Sequence, residues 1–309
     1  MKPPLWLILH AAAHASMAST EQLFLMVTEP RSGSDWLVDL LDAHPNVCVP
    51  AGAWPEKHSN DKHNGVDGHA LVGVSKANAL NRSAAAVGAA YEEAAAYRLA
   101  HPLKGPKDDK GIRHRKACAA FGWKQPMHVL VPTYQPHAHV RATIDRDSFA
   151  RWIRSRGVRL IFLKRTGLAW WMSLAKKHDA DERSPESHPS HCLDAACAAK
   201  MASTKLVVEN WQLKTLVAHL AAADAAWDDL LAWSSHALPP EQRHVVAYEA
   251  LRADTPAATR ELFRFLGVEP LRTNSTYVKT GGHRLADGIA NLDEVRQALA
   301  GTPWLRELD

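Results

Sequence analysis

Hydrophobic positions along this chain fall into two rhythms. Leu23-Phe24-Leu25-Met26-Val27 and Val158 to Leu163 are short apolar runs, the pattern of strands buried on both faces of a sheet. Apolar residues at helical spacing follow each of them. Trp36, Leu37, Leu40 and Leu41 recur until His44-Pro45 stops the run, and Leu168 to Lys177 follows the second strand. A third strand is predicted at His244 to Tyr248. Helices are predicted from about Asn210 to Trp233, over Pro256 to Leu266 with Gly267 closing it, and over Leu292 to Leu299. Buried strands alternating with helices predict a three-layer αβα domain around a central parallel sheet.

Two stretches depart from that rhythm. From about residue 55 to 116 the chain turns polar, with a charged run Lys104 to Lys116 and an Ala-rich helical stretch around Tyr91 to Leu99. It reads as an insertion packed over the sheet edge of a single domain spanning 21–309. Asp179 to His191, rich in Asp, Glu, Ser, Pro and His, reads as an exposed loop. Residues 1–20 carry a basic start, the apolar Leu5-Trp6-Leu7-Ile8-Leu9 and a small-residue Ala13-His14-Ala15, which fits a cleaved secretory leader and equally an organelle-targeting or disordered one. That run is far short of the ~20 residues that span a bilayer, and no later segment supplies one.

Composition narrows the chemistry. Lys plus Arg number 37 against 33 Asp plus Glu, so the net charge is +4 over 309 residues. A chain so weakly basic does not bind nucleic acid by bulk charge, and any anion recognition must be local. Four cysteines form no CxxC ligand pairs, are too few for a disulfide framework in a chain this long, and leave the redox compartment open. The histidines around Asp179 to His191 and at His58 and His63 lack metal-ligand spacing, so no metal is expected.

Between the first strand and its helix lies Arg31-Ser32-Gly33-Ser34-Asp35-Trp36. Such a loop presents backbone N–H groups and a positive helix end to an anion, and Gly33 lets the backbone approach closely. The GxxxxGK[ST] device of nucleotide triphosphatases is missing, which argues against a kinase. At the end of the second strand stands Arg165, with Ser173 two turns into the next helix. Two such groups can converge on one phosphate beyond the carboxyl ends of the strands.

The Arg31 loop resembles the 5′-phosphosulfate loop of sulfotransferases that use 3′-phosphoadenosine 5′-phosphosulfate (PAPS), and Arg165 with Ser173 resembles that family's 3′-phosphate site. Phe121-Gly122-Trp123-Lys124, Phe162-Leu163-Lys164-Arg165, Val246-Ala247-Tyr248-Glu249-Ala250-Leu251, Phe265-Leu266-Gly267-Val268 and Asn291-Leu292-Asp293-Glu294-Val295 are similar to its plant and algal branch. The resemblance implies in-line transfer of a sulfuryl group from PAPS to a hydroxyl, with a glycan as one acceptor class, and a secretory or Golgi-lumenal location with cytoplasm or organelle as the alternative.

It also implies roles. Arg31, Ser32, Gly33, Ser34, Asp35 and Trp36 would contact the 5′-phosphosulfate side, with Trp36 open between the adenine face and the core. Asp35 departs from the family's Thr or Ser and would point away from the ligand. Arg165 and Ser173 would hold the 3′-phosphate, and Lys279 and Arg284 would lie in a basic loop over it. Arg31 would also stabilise the leaving phosphate, Glu56 is the first candidate for general base ahead of His58 and His63, and Lys124 would face the sulfate or acceptor. Tyr248 and Glu249 read as a buried strand end and the following cap. Asp35, and an Ala where relatives have Glu after Gly52, support a second reading, a catalytically inactive nucleotide- or glycan-binding relative. Oligomeric state is not legible.

Overall fold

The computed structural model describes residues 22–49, 104–107, 113–115, 118–127, 130–131, 145–165, 167–183, 192, 194–277 and 284–309. Five parallel strands make one sheet in the order β2-β5-β1-β6-β7: β1 (Gln22–Thr28), β2 (Val47–Cys48), β5 (Ala120–Pro126), β6 (Arg159–Lys164) and β7 (Arg243–Ala247). β3 (Lys104–Lys107) and β4 (Arg113–Arg115) form a separate antiparallel pair. The helices are α1 (Ser34–Asp42), α2 (Arg146–Arg156), α3 (Gly167–Arg183), α4 (Ala195–Ser203), α5 (Asn210–Ala237), α6 (Tyr248–Ala253), α7 (Thr255–Phe265) and α8 (Leu292–Ala298).

Side chains on a strand alternate faces, so an apolar run must be covered on both. On one face Leu25, Val27, Leu160 and Phe162 pack with Phe149 and Ile153 of α2, Trp171 of α3 and Trp227 of α5. On the other, Phe24, Met26, Ile161 and Leu163 pack with Leu37 and Leu41 of α1 and Leu262 and Phe263 of α7. This is the three-layer αβα arrangement that the periodicity predicts. Gly122 pairs with Phe24 across β5 and β1, and a Cβ there would overlap the Phe24 ring, so the central strands come together only with glycine at this point.

Several boundaries move. α3 runs to Arg183, into the stretch read as a loop from Asp179, while residues 184–191 lie outside the described residues. α5 continues to Ala237, past Trp233. α2 escapes sequence reading because its buried stripe is only Phe149, Ala150 and Ile153 among four arginines. It is bounded by Asp145, which accepts from the Ser148 N–H at 3.2 Å, and by Gly157 at φ 62.

The cysteines are a correction. Cys48 and Cys118 are joined with their Cα atoms 5.7 Å apart, and Cys192 and Cys197 with theirs 5.4 Å apart. Cys48 ends β2 and Cys118 stands just before β5, which pairs with β2, so adjacent strands bring the two sulfurs together. Spacing along the chain carries no trace of this. The bridge joins the two ends of the polar insertion, and disulfides of this kind persist in oxidising compartments. No helix of the described residues is long and apolar enough to cross a membrane.

Candidate active site

Strand order selects one place on this sheet. The connection leaving β1 runs through α1 to β2 on one side, and that leaving β6 runs through α3 towards β7 on the other. β1 and β6 are neighbours, so a crevice opens beyond their carboxyl ends, the position where open parallel sheets bind ligands. The Arg31 loop leaves one strand there and Arg165 leaves the other.

Loop 29–33 is folded so that its carbonyls face protein. The Ser32 N–H and hydroxyl both donate to the Glu29 carbonyl, at 3.3 and 2.8 Å. The Trp170 indole donates to the Pro30 carbonyl at 3.0 Å, and Arg165 Nη1 to the Arg31 carbonyl at 2.8 Å. Beneath them the buried Glu29 carboxylate accepts from the Trp227 indole at 2.8 Å. Arg31 at φ 64 and Gly33 at φ 86 both lie in the left-handed region, and Arg31 is the only non-glycine to do so among the described residues. Turns of this sort gather backbone N–H groups into an anion-binding concavity. Gly33 is also the N-cap of α1, and among the described residues no side chain caps that helix. The first-turn N–H groups have no acceptor within the helix, and its positive end points into the crevice.

Arg31, Arg165 and Ser173 meet here. Arg31 Nε donates to the Ser173 hydroxyl at 3.4 Å, across 142 residues, while Arg165 spans 134 residues to hold the Arg31 carbonyl. The Arg165 guanidinium lies 4.2 Å above the Tyr248 ring. Its Nε is buried with no hydrogen-bond partner among the described residues. Burial lowers the Arg165 pKa; Tyr248 and Glu249 oppose that, and the charges of Arg31 and Arg252 reinforce it. A guanidinium keeps its charge under such pressure, so two of them side by side in a partly dry crevice are stabilised by a dianion.

The other residues of the predicted site lie around this point. Lys124 is buried and forms an ion pair with Asp35. Lys124 pairs in register with Met26 on the face that α1 covers, which brings its chain up under the first turn of that helix. The pair answers how a carboxylate sits on an anion-binding helix: the helix dipole and the ammonium both compensate it. Ser32 spends both of its donors inside the loop, and Ser34 is buried. Trp36 is half-buried and meets Tyr248 edge-to-face, with centroids 5.9 Å apart.

Tyr248 is a second correction. It opens α6, half-buried, with Glu249 exposed, and it touches three loop components at once. Besides Arg165 and Trp36 it abuts Gly33, where a Cβ would stand 2.6 Å from its Cε2. A tyrosine after an apolar strand gave no signal of this from spacing alone. His44 has a structural part, donating from Nε2 to the Glu269 carbonyl at 2.8 Å and accepting the Asn46 N–H on Nδ1 at 3.0 Å. Arg284 is exposed, and Glu56, His58, His63 and Lys279 lie outside the described residues. The described residues contain no group of three or more His, Cys, Asp or Glu that could hold a metal ion.

No family model and no curated protein matches the chain. Among solved structures it is similar to a sulfotransferase from Alicyclobacillus acidocaldarius, at 11% identity and TM-score 0.42, covering 84% of this chain and 86% of that one. It is also similar to the sulfotransferase domain of the curacin biosynthetic pathway, at 15% identity and TM-score 0.36 over 88% and 85% of the two chains. A third likeness is to the sulfotransferase domain of the Synechococcus PCC 7002 olefin synthase, at 14% identity and TM-score 0.34 over 82% and 78%. Likeness at this level assigns no activity, and what the chain does is read from the residues of the crevice.

Proposed function

We propose that this protein binds PAPS across the β1–β6 crevice and transfers its sulfuryl group to a hydroxylated acceptor. The observation that carries the reading is the meeting of Arg165 with the Arg31 loop, because each motif alone is an ordinary anion-binding turn. In this reading the α1 N-terminus takes one anion, and Arg165 with Ser173, each bonded to Arg31, takes the other. A nucleotide with phosphates at both its 5′ and 3′ ends matches that layout.

In the proposed reaction the acceptor oxygen attacks sulfur in line. The S–O bond to the 5′-phosphate breaks, 3′,5′-ADP leaves with the bonding pair, and the acceptor proton passes to a base for which Glu56 remains the proposed residue. Arg31 and the α1 N–H groups would stabilise charge growing on the leaving phosphate, and such positioning of donors supplies most of the acceleration in group transfers of this type. Lys124, paired with Asp35 beneath the helix, would keep that carboxylate from opposing the anion. A lumenal setting, with which the two disulfides are compatible, favours a glycan acceptor.

The test is incubation with sulfur-labelled PAPS and a panel of hydroxylated acceptors. Label appearing on an acceptor, with stoichiometric 3′,5′-ADP, is the expected result. Tight binding of 3′,5′-ADP with no transfer to any acceptor selects the inactive binding relative, and absence of nucleotide binding removes both readings.

A further inference from the structure

A second helix N-terminus opens on the same crevice, and the chain fills it itself. α3 begins at Gly167, directly after the turn from Arg165, and carries Ser173. Glu307 Oε2 accepts from the Leu168 N–H at 2.7 Å. Gly167 stands at φ 70, and a Cβ there would overlap the Glu307 carboxylate, so the glycine is needed for both conformation and space. Glu307 belongs to a 3-10 turn, Pro303–Leu308, anchored by the buried Leu308 and Trp304, whose indole donates to Asp224 Oδ2 at 3.1 Å. Burial raises the Glu307 pKa, as do the charges of Asp224 and Glu249, while the amides of Leu168 and Ala169 oppose the rise.

We propose that Glu307 is a positioning residue for the nucleotide site, holding the β6–α3 turn so that Arg165 and Ser173 keep their aim on one phosphate. The proposal rests on the reading of the crevice as a PAPS site. A carboxylate seated on the α3 N-terminus satisfies first-turn donors and occupies the positive end of that helix. Loss of the carboxylate frees the first turn of α3, and the residues on either side of that turn are those proposed to hold the 3′-phosphate.

The experiment measures binding of 3′,5′-ADP and of 5′-AMP to the full chain and its variants by calorimetry. Glu307→Ala is expected to weaken 3′,5′-ADP about tenfold, the effect of losing one good cap, and 5′-AMP by less than about twofold. Glu307→Gln retains an acceptor for the Leu168 N–H and is expected within about threefold of the parent for both ligands. Gly167→Ala, whose Cβ displaces the carboxylate, should reproduce the Glu307→Ala pattern and carries the comparison if Glu307→Ala does not fold. Equal losses for the two nucleotides, no loss, or a glutamine variant as impaired as the alanine one overturns the proposal. Arg165→Ala separates the two levels: if it removes the 3′-phosphate preference and the Glu307 variants do not, only the role of Glu307 fails.

Discussion

Arg165→Ala is expected to weaken binding of 3′,5′-ADP by about two orders of magnitude and to leave 5′-AMP within about threefold, because one charge-assisted hydrogen bond is worth ~1.5–3 kcal/mol and this guanidinium has donors for more than one. Arg165 is expected to act on a single phosphate. Its ring contact with Tyr248 and its bond to the Arg31 carbonyl fix the guanidinium between β6 and the loop. In the proposed site the 5′ end of the nucleotide would be read instead by the α1 N-terminus, which the substitution leaves in place. The same bond to Arg31 also braces the loop, so a small loss for 5′-AMP is expected as well. Fluorescence or calorimetric titration with both ligands measures the two losses separately. Equal losses would show that Arg165 shapes the loop and binds no phosphate.

The second large effect is on stability. Cys48→Ser combined with Cys118→Ser removes a bridge whose partners are 70 residues apart. Closing a loop of that length restricts the unfolded chain, and the chain-entropy relation puts the stabilisation at about 4 kcal/mol. That is a large fraction of a typical domain's stability of ~5–15 kcal/mol. Urea denaturation of the variant should therefore show a midpoint far below the parent, with the parent shifting towards it in reductant. The Cys192–Cys197 bridge closes only 5 residues, so by the same relation its removal costs much less. A reduced parent that unfolds at the oxidised midpoint would contradict the role given to the longer bridge.

What the sequence made legible follows physical range. The αβα class was readable because the β1 and β6 runs are apolar on both faces, a condition set locally by what must cover them. Gly33 and Arg31 were recognisable because a strand, a turn and a helix in succession define that loop without reference to the rest of the chain. α2 was hidden because four arginines mask a narrow apolar stripe. The partners of Lys124, Tyr248, Glu307 and Cys48 were hidden for a different reason. Each is a side chain whose role is set by a residue far away in sequence: Asp35 at 89 positions, Leu168 at 139, Cys118 at 70. Only the folded chain, with its strand order β2-β5-β1-β6-β7 and the return of the C-terminal turn to α3, brings those positions together, and neither is written in any local pattern. Asp35 illustrates the difference: as a departure from the family loop it looked adverse to an anion, and its pairing with the buried Lys124 makes it compatible with one.

A crystal structure of the protein soaked with 3′,5′-ADP tests the central claim most directly. The account predicts the 5′-phosphate against the first-turn amides of α1 beside Gly33, and the 3′-phosphate bridging Arg165 and the Ser173 hydroxyl. Nucleotide bound away from the β1–β6 crevice, or bound there with the 3′-phosphate in solvent, would contradict it.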